Sequence, residues 1–199
     1  MECQAVTAVP STDSCDDLAL VNAARNGDRA AFGRLYERYA RMVHGILLTR
    51  VPLSEVDDLV QDVFLLALPR LEDLRDIARF GPWLAAITRN RAHDYHRRSR
   101  TAIELTGHVS AEGAEGRATS GLEQAEAAVV LAIIRGLSET YRETLILRLV
   151  EGMTGPEIAA RTGLSPGSVR VNLHRGMQQL RKKLSQVSTA SRKRNEHER

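Results

Sequence analysis

With 199 residues and 43% hydrophobic content, the chain can form one domain or two small ones with packed cores. Aromatics make up only 4%, and Ala, Leu and Arg dominate where strand-favouring runs are missing, which points to an all-helical fold. The formal net charge is +3, with no metal-ligand or disulfide framework beyond Cys3 and Cys15, and no apolar run long enough to span a bilayer. A soluble, cytoplasmic protein without cofactor or membrane insertion is expected.

Charge is segregated along the chain. From Pro166 to Arg199 there are nine Lys/Arg against two Glu, whereas Met1 to Ala24 holds four acids and no base. Thr101 to Ala128 holds five acids and one Arg. Such a pattern suits nucleic acid at some surfaces and basic partners, or electrostatic mimicry, at others.

Residues 1–15 have scattered Pro, Ser, Thr and Asp with no helical period and read as a disordered tail. A first helix is expected from Asp16 or Asp17 to Asn26-Gly27. A second starts at Asp28 and places Phe32, Leu35, Tyr36, Tyr39, Val43, Ile46 and Leu47 at helical spacing. Pro52 ends that region, and Ser54 to Asp57 offers a capping box for a third helix. There Val56, Leu59, Val60, Val63 and Ala67 share the packing side, while Asp58, Gln61, Asp62 and Leu65 gather opposite. A leucine ringed by carboxylates suits the docking of a basic helix. The alternative is a solvated acidic face with one stray leucine. A metal site is disfavoured, because the carboxylates are spread around the helix and no His joins them.

Leu71 to Arg79 is a charged connection into a fourth helix with Phe80, Trp83, Leu84 and Ile87. That helix ends in Arg89, Asn90, Arg91, His93, His96, Arg97, Arg98 and Arg100, with Asp94 the only acid. Arg89, His93 and His96 face away from Trp83 and Ile87, with Arg97 beside them, as a phosphate-tracking surface would. Arg91 and Asp94, at i and i+3, are expected to pair with each other. His93 and His96 lack a third metal ligand. Phe80 and Trp83 are candidates to stack on an unpaired base, against a core role for Trp83.

Periodicity stops from Thr101 to Gly121, where Gly107, Gly113, Gly116 and Gly121 with Ser and Glu mark a flexible acidic linker. Helicity resumes at Leu122, and Leu137-Ser138-Glu139 ends one helix and caps the next, which carries Tyr141, Leu145, Ile146, Leu149 and Val150.

Met153 to Leu184, MTGPEIAARTGLSPGSVRVNLHRGMQQLRKKL, reads as two helices and a tight turn. Pro156 and Ser165-Pro166 are start signals, and Gly163 stands where a chain leaving a helix needs a left-handed residue. This is a helix-turn-helix, a motif whose second helix enters the DNA major groove. Val169, Leu173, Met177, Leu180 and Leu184 form its packing face. Ser168, Arg170, Val171, His174 and Arg175 are the candidates for the groove, and Arg181, Lys182 and Lys183 for the backbone. An αα-hairpin with a solvated basic face is the alternative. After Leu184 a polar, basic tail is expected.

Three stretches in this order, DDLVQDVFL (57–65), FGPWLAAITRNRAHDYHRR (80–98) and the run from Leu137 to Leu184, resemble bacterial sigma factors of the sigma-70 family. The match is to the small extracytoplasmic-function (ECF) type, which keeps only conserved regions two and four. The resemblance implies two small helical domains, a region 2 bundle over 16–100 and a region 4 helix-turn-helix over 122–185, joined by the 101–121 linker and followed by a tail over 186–199. It implies core RNA polymerase as partner, through the clamp helices of its largest subunit and its flap, with Asp58, Gln61, Asp62 and Leu65 on the docking face. It further implies promoter DNA, duplex and melted, with Arg89, Asn90, His93, Arg97 and Arg98 at the minus-ten element. The 70–79 loop would capture a flipped base, and the helix from Pro166 would read the minus-thirty-five element. An anti-sigma factor is an expected partner. Val171-Asn172 departs from the Ser and basic residue of many relatives, though a valine can touch a thymine methyl. Two rivals remain: a stand-alone repressor or activator, and a nucleic-acid enzyme using the Asp cluster. Against the enzyme, no carboxylate pairs with His or Lys as an acid/base set and no phosphate-cradling Gly-rich loop occurs.

Overall fold

The computed structural model describes residues 12–106 and 123–197, which form eight α-helices, with no strand among the described residues. Helix α1 spans Thr12–Arg25. Gly27, at φ 89°, turns the chain so that the Asp28 carboxylate caps α2 (Arg29–Leu48), accepting from the Ala30 and Ala31 amides at 2.8 and 3.0 Å. One broad face of α2, from Ala31 through Leu35, Tyr39, Met42, Val43 and Ile46 to Leu48, is buried.

Helix α3 (Val56–Ala67) buries Val56, Leu59, Val60, Val63 and Ala67 as its spacing predicts, and Phe64 as well. It does not begin with the expected capping box. Pro52 launches a single 3-10 turn over Leu53–Glu55, Glu55 becomes the residue before the helix, and no side chain caps the helix start. The Ser54 hydroxyl instead lies 3.4 Å from the Glu55 carboxylate. Two further 3-10 turns, Leu68–Asp73 and Ile77–Arg79, lead into α4 (Phe80–Thr106). That helix runs past the expected end near Arg100, so residues 101–106 are helical; the rest of the expected linker, 107–121, lies outside the described residues, as does most of the expected tail, 1–11.

Helices α5 (Glu123–Arg135) and α6 (Glu139–Leu149) follow, with Ser138 between them in extended geometry at the head of α6. Helix α7 (Gly155–Thr162) opens on a capping box that sequence reading passed over. The Thr154 hydroxyl accepts from the Glu157 amide, and the Glu157 carboxylate accepts from the Thr154 amide. Those Thr154 bonds hold the Glu157 carboxyl below its usual range. Gly163 closes α7 at φ 79°, and Ser165 accepts from the Ser168 amide at 3.1 Å to start α8 (Pro166–His197). The second helix of the helix-turn-helix therefore does not stop at Leu184 but carries on through the basic segment to His197.

Helix α2 packs on α1, α3 and α4, and α8 packs on α5, α6 and α7. The two halves also meet, α2 against α6 and α4 against α7, so buried apolar residues from Leu20 to Leu180 form one continuous cluster. Two glycines permit this approach: a Cβ on Gly45 would stand 2.8 Å from Leu147 Cδ2, and one on Gly81 would stand 3.0 Å from Arg161 Cα. Across the same seam His44 Nδ1 meets the buried Glu151 carboxylate at 2.7 Å, with Arg41 4.0 Å from that carboxylate.

Replacing Gly163 with Ala should cost about 1–2 kcal/mol, because a side chain is strained at that φ and its Cβ would meet Pro82 at 3.1 Å. A melting temperature lowered by roughly 2–8 °C in calorimetry would match that cost. The His44–Glu151 pair makes the seam pH-sensitive. Hydrogen bonding to Glu151 raises the His44 pKa despite burial, and Asp57 adds to the rise. A raised folded-state value means the pair's stabilisation is complete below the ordinary 6.5 and lost as pH climbs through the raised value. The melting-temperature gap between wild type and His44→Gln should therefore be wide at about pH 6 and close at about pH 9.

Candidate nucleic-acid interface

The exposed side of α8 is built by its own cap. Ser165 and Ser168 hydroxyls lie 2.8 Å apart at the helix start, and the packing residues Val169, Leu173, Met177, Leu180 and Leu184 all turn to the core as their spacing predicts. That leaves Ser168, Arg170, Val171, His174 and Arg175 exposed on one continuous face, with Val171 at 45%. Arg181 and Lys182 are exposed further along, and none of these cations is in an ion pair among the described residues. Lys183 differs from its neighbours, since its ammonium is held 3.1 Å from the Gly136 carbonyl. Asn172 is 7% exposed, and its Nδ2 finds no partner among the described residues, so it faces the packed side rather than a groove.

The basic stretch of α4 is less uniform than its sequence. Asn90, His93, Arg97 and Arg98 are exposed, but Arg97 pairs with Asp94 at 3.2 Å. The expected Arg91–Asp94 pair does not form. Arg91 points across to α3, where its Nη2 meets Asp62 at 2.5 Å, while Asp94 takes Arg97 one turn on. Asp62 is thus half-buried and engaged, leaving Asp58, Gln61 and Leu65 as the open part of the acidic face. Leu65 is 69% exposed, and Leu66 and Leu68 at the same end of α3 are exposed as well, so the apolar surface there is larger than the sequence suggested.

Arg89 is drawn furthest from its expected role. It is half-buried, and its Nη2 and Nε donate to the two oxygens of Glu143 on α6 at 2.7 and 3.2 Å. Arg50 joins the same carboxylate at 2.9 Å and reaches Glu139 at 2.5 Å. Burial alone would raise the Glu143 pKa, but the hydrogen bond and charge of Arg89, with those of Arg50, more than offset it and hold the carboxyl low. Nothing local in the sequence singled out Glu143 or Arg50, because their partners lie 54 and 93 residues away.

Between the 3-10 turns and the start of α4 lies a cleft of about 360 Å³ lined by Asp73, Leu74, Arg75, Asp76, Arg79, Pro82 and Trp83. Its rim is fixed by Asp76, which caps the second turn through the Ala78 amide at 3.1 Å, and by Arg25, which donates to the Glu72 and Leu74 carbonyls. Trp83 is half-buried, packing on the core while lining the cleft. Phe80 is 1% exposed between Tyr39 and Trp83, so it cannot stack on a base. Among the described residues no cluster of His, Cys, Asp or Glu could hold a metal ion, and no helix is long and apolar enough to cross a membrane.

Comparison with known proteins bears on what these surfaces serve. The family models Sigma-70 region 2 and Sigma-70 region 4 match residues 35–101 and 127–180. RNA polymerase sigma factor NccH of Alcaligenes xylosoxydans xylosoxydans is 33% identical over 176 residues, covering 85% of this chain and 95% of that protein. RNA polymerase sigma factor CarQ of Myxococcus xanthus is 31% identical over 167 residues, covering 82% and 94%. Among solved structures, CnrH in complex with the cytosolic domain of CnrY superposes with a TM-score of 0.60 at 30% identity, covering 85% of this chain and 97% of that one; CnrH is from Cupriavidus metallidurans. With both conserved regions matched in order on an all-helical fold, the chain belongs to the sigma-70 family as an ECF-type RNA polymerase sigma factor, directing promoter-specific initiation of transcription.

Proposed function

We propose a division of labour among the three surfaces. The exposed face of α8, through Ser168, Arg170, Val171, His174 and Arg175, reads the duplex minus-thirty-five element, with Arg181 and Lys182 on its backbone. Asn90, His93, Arg97, Arg98 and Arg89 on α4 follow the minus-ten strands, and the cleft beside Trp83 takes the base that leaves the stack. Extrusion costs a few kcal/mol, which an enclosing cleft and backbone contacts can offset without any bond being broken. The chain then acts by binding and needs no catalytic step of its own.

Asp58, Gln61 and Leu65, with the neighbouring exposed leucines, form the docking face for the clamp helices of core polymerase, and the second half meets the flap. Asp62 contributes by tying this face to α4 through Arg91. The observation that carries the reading is the separation of surfaces: acids and apolar side chains open on α3, cations without an ion pair among the described residues open on α8. Residues 16–100 and 122–185 are the two working domains, acting in the cytoplasm. The capture of CnrH with the cytosolic domain of CnrY supports a protein regulator as a further partner here, an anti-sigma factor that ties activity to a signal.

In transcription with purified core polymerase and a promoter library, Asp58→Lys combined with Leu65→Ala should reduce product at least about tenfold, the scale of losing one interface hot spot. Holoenzyme that still initiates at the wild-type level would remove this face from the docking role, and wild-type protein that shifts DNA alone without supporting transcription would favour a stand-alone regulator. With the holoenzyme, Arg175→Ala should weaken promoter binding by about 1–3 kcal/mol and relax sequence preference in the minus-thirty-five element. Lys182→Ala should weaken all sequences alike and reduce the slope of log affinity against log salt by about 1.

A further inference from the structure

One carboxylate joins the two halves at the point where the minus-ten surface begins. Glu143 is 6% exposed in the middle of α6, and both its oxygens take Arg89 while one also takes Arg50. Two N–H donors of one guanidinium on two oxygens of one anion is the fork that arginine uses for a phosphate. Glu143 therefore fills the position that a DNA phosphate would take on Arg89.

Further polar contacts edge the seam around Glu143. Arg135 donates to the Leu48 and Val51 carbonyls at 3.0 Å each, and Arg142 donates to the Thr49 carbonyl at 3.1 Å, so guanidiniums from α5 and α6 close the C-terminal end of α2. At the far end Arg161 lies 5.1 Å over the Tyr39 ring and donates to the Arg38 carbonyl, while the Gly163 turn rests on Pro82, a wall of the base-sized cleft. These ion pairs and side-chain-to-carbonyl bonds edge the apolar contact of α6 with α2, and a polar rim of this kind suits domains that open and close within a chain. Closure also buries Arg142 Nε without a partner among the described residues, a cost that limits how firmly it holds.

We propose that Glu143 is an internal phosphate mimic: it latches α5–α8 onto α1–α4 and withholds Arg89 from DNA until the halves part. The inference rests on the reading of Arg89 as a promoter contact. It makes DNA the competitor of Glu143, so that the free chain binds DNA with an affinity reduced by the fraction of open molecules.

The test uses the full chain with Cys3 and Cys15 changed to Ser and dyes placed at Gly33→Cys and Gln179→Cys, both exposed positions on opposite halves. Energy transfer reports closure, and titration with a 30-base-pair duplex and with single-stranded DNA of the same length reports binding. Glu143→Gln should lower transfer and tighten binding about tenfold, the effect of raising the open fraction from one in ten to nearly all. Because that change also removes a negative charge, Gly45→Phe serves as a wedge that parts α2 from α6 with no change in charge, and it should give the same two effects. Adding Arg89→Gln to the wedge should abolish the gain in binding but not the loss of transfer. Unchanged transfer and binding in both Glu143→Gln and Gly45→Phe would overturn the latch. Lowered transfer with no gain in binding would instead overturn the masking of Arg89, a failure of the site assignment beneath it.

Discussion

Everything in this molecule is arranged around the apolar stripe of α2. Leu35, Met42, Val43, Ile46 and Leu47 are fully buried, and together with Tyr39 they serve α1, α3 and α4 from one helix. At about 1.5–3 kcal/mol for each large apolar side chain removed from water, this stripe is the term that the rest of the half cannot replace. It fixes α3 with Asp58 and Leu65 outward, and it fixes α4 with Trp83 at the cleft and His93 in solvent. The same helix then turns Gly45 and the carbonyls at its end to α6. One element thus sets the orientation of the proposed polymerase face, of the proposed minus-ten face and of the seam.

The helix-turn-helix shows how much a sequence can disclose when the causes are local. Gly163 had to be left-handed, Ser165 had to cap, and the α8 apolar repeat had to face inward, because each depends on residues within a turn or two. Packing faces of α3 and α8 were legible for the same reason. Legibility ended where a local signal competed with another. Ser54 to Asp57 satisfies a capping pattern, but Pro52 commits the next three residues to a 3-10 turn and shifts the helix start beyond Ser54. Past Arg100 and past Leu184, loss of apolar periodicity suggested an end, although a polar helix can continue from a well-anchored one.

Ion pairs were the least legible feature, for a physical reason. Arg91 has an acid at i+3 on its own helix, worth a few tenths of a kcal/mol when solvent-exposed, yet Asp62 on α3 offers a partner where Arg91 is mostly shielded. The better-shielded partner wins, and spacing along one helix cannot reveal it. Arg89 follows the same logic with Glu143. A count of basic residues therefore overstates the free basic surface of α4 and describes that of α8 more faithfully.

The chemistry of the seam explains why it can be temporary while the α2 stripe cannot. Arg50, Arg89, Arg135, Arg142 and Arg161 provide it, and a planar guanidinium with several donors can serve a carboxylate or a carbonyl with little loss of order. Each acceptor in these pairs, from the Glu143 carboxylate to the last carbonyls of α2, finds equivalent hydrogen bonds in water once the halves part. At these polar contacts, opening exchanges one set of partners for another, at a net cost of about 1 kcal/mol for an ordinary hydrogen bond and about 1.5–3 kcal/mol for one to a charged group, while the apolar contact of Leu147 with α2 at Gly45 has no such replacement. Exposing Met42 or Ile46 offers no such exchange. On the proposed latch, nucleic acid would compete for the polar rim of the seam, where one guanidinium can serve a carboxylate or a phosphate.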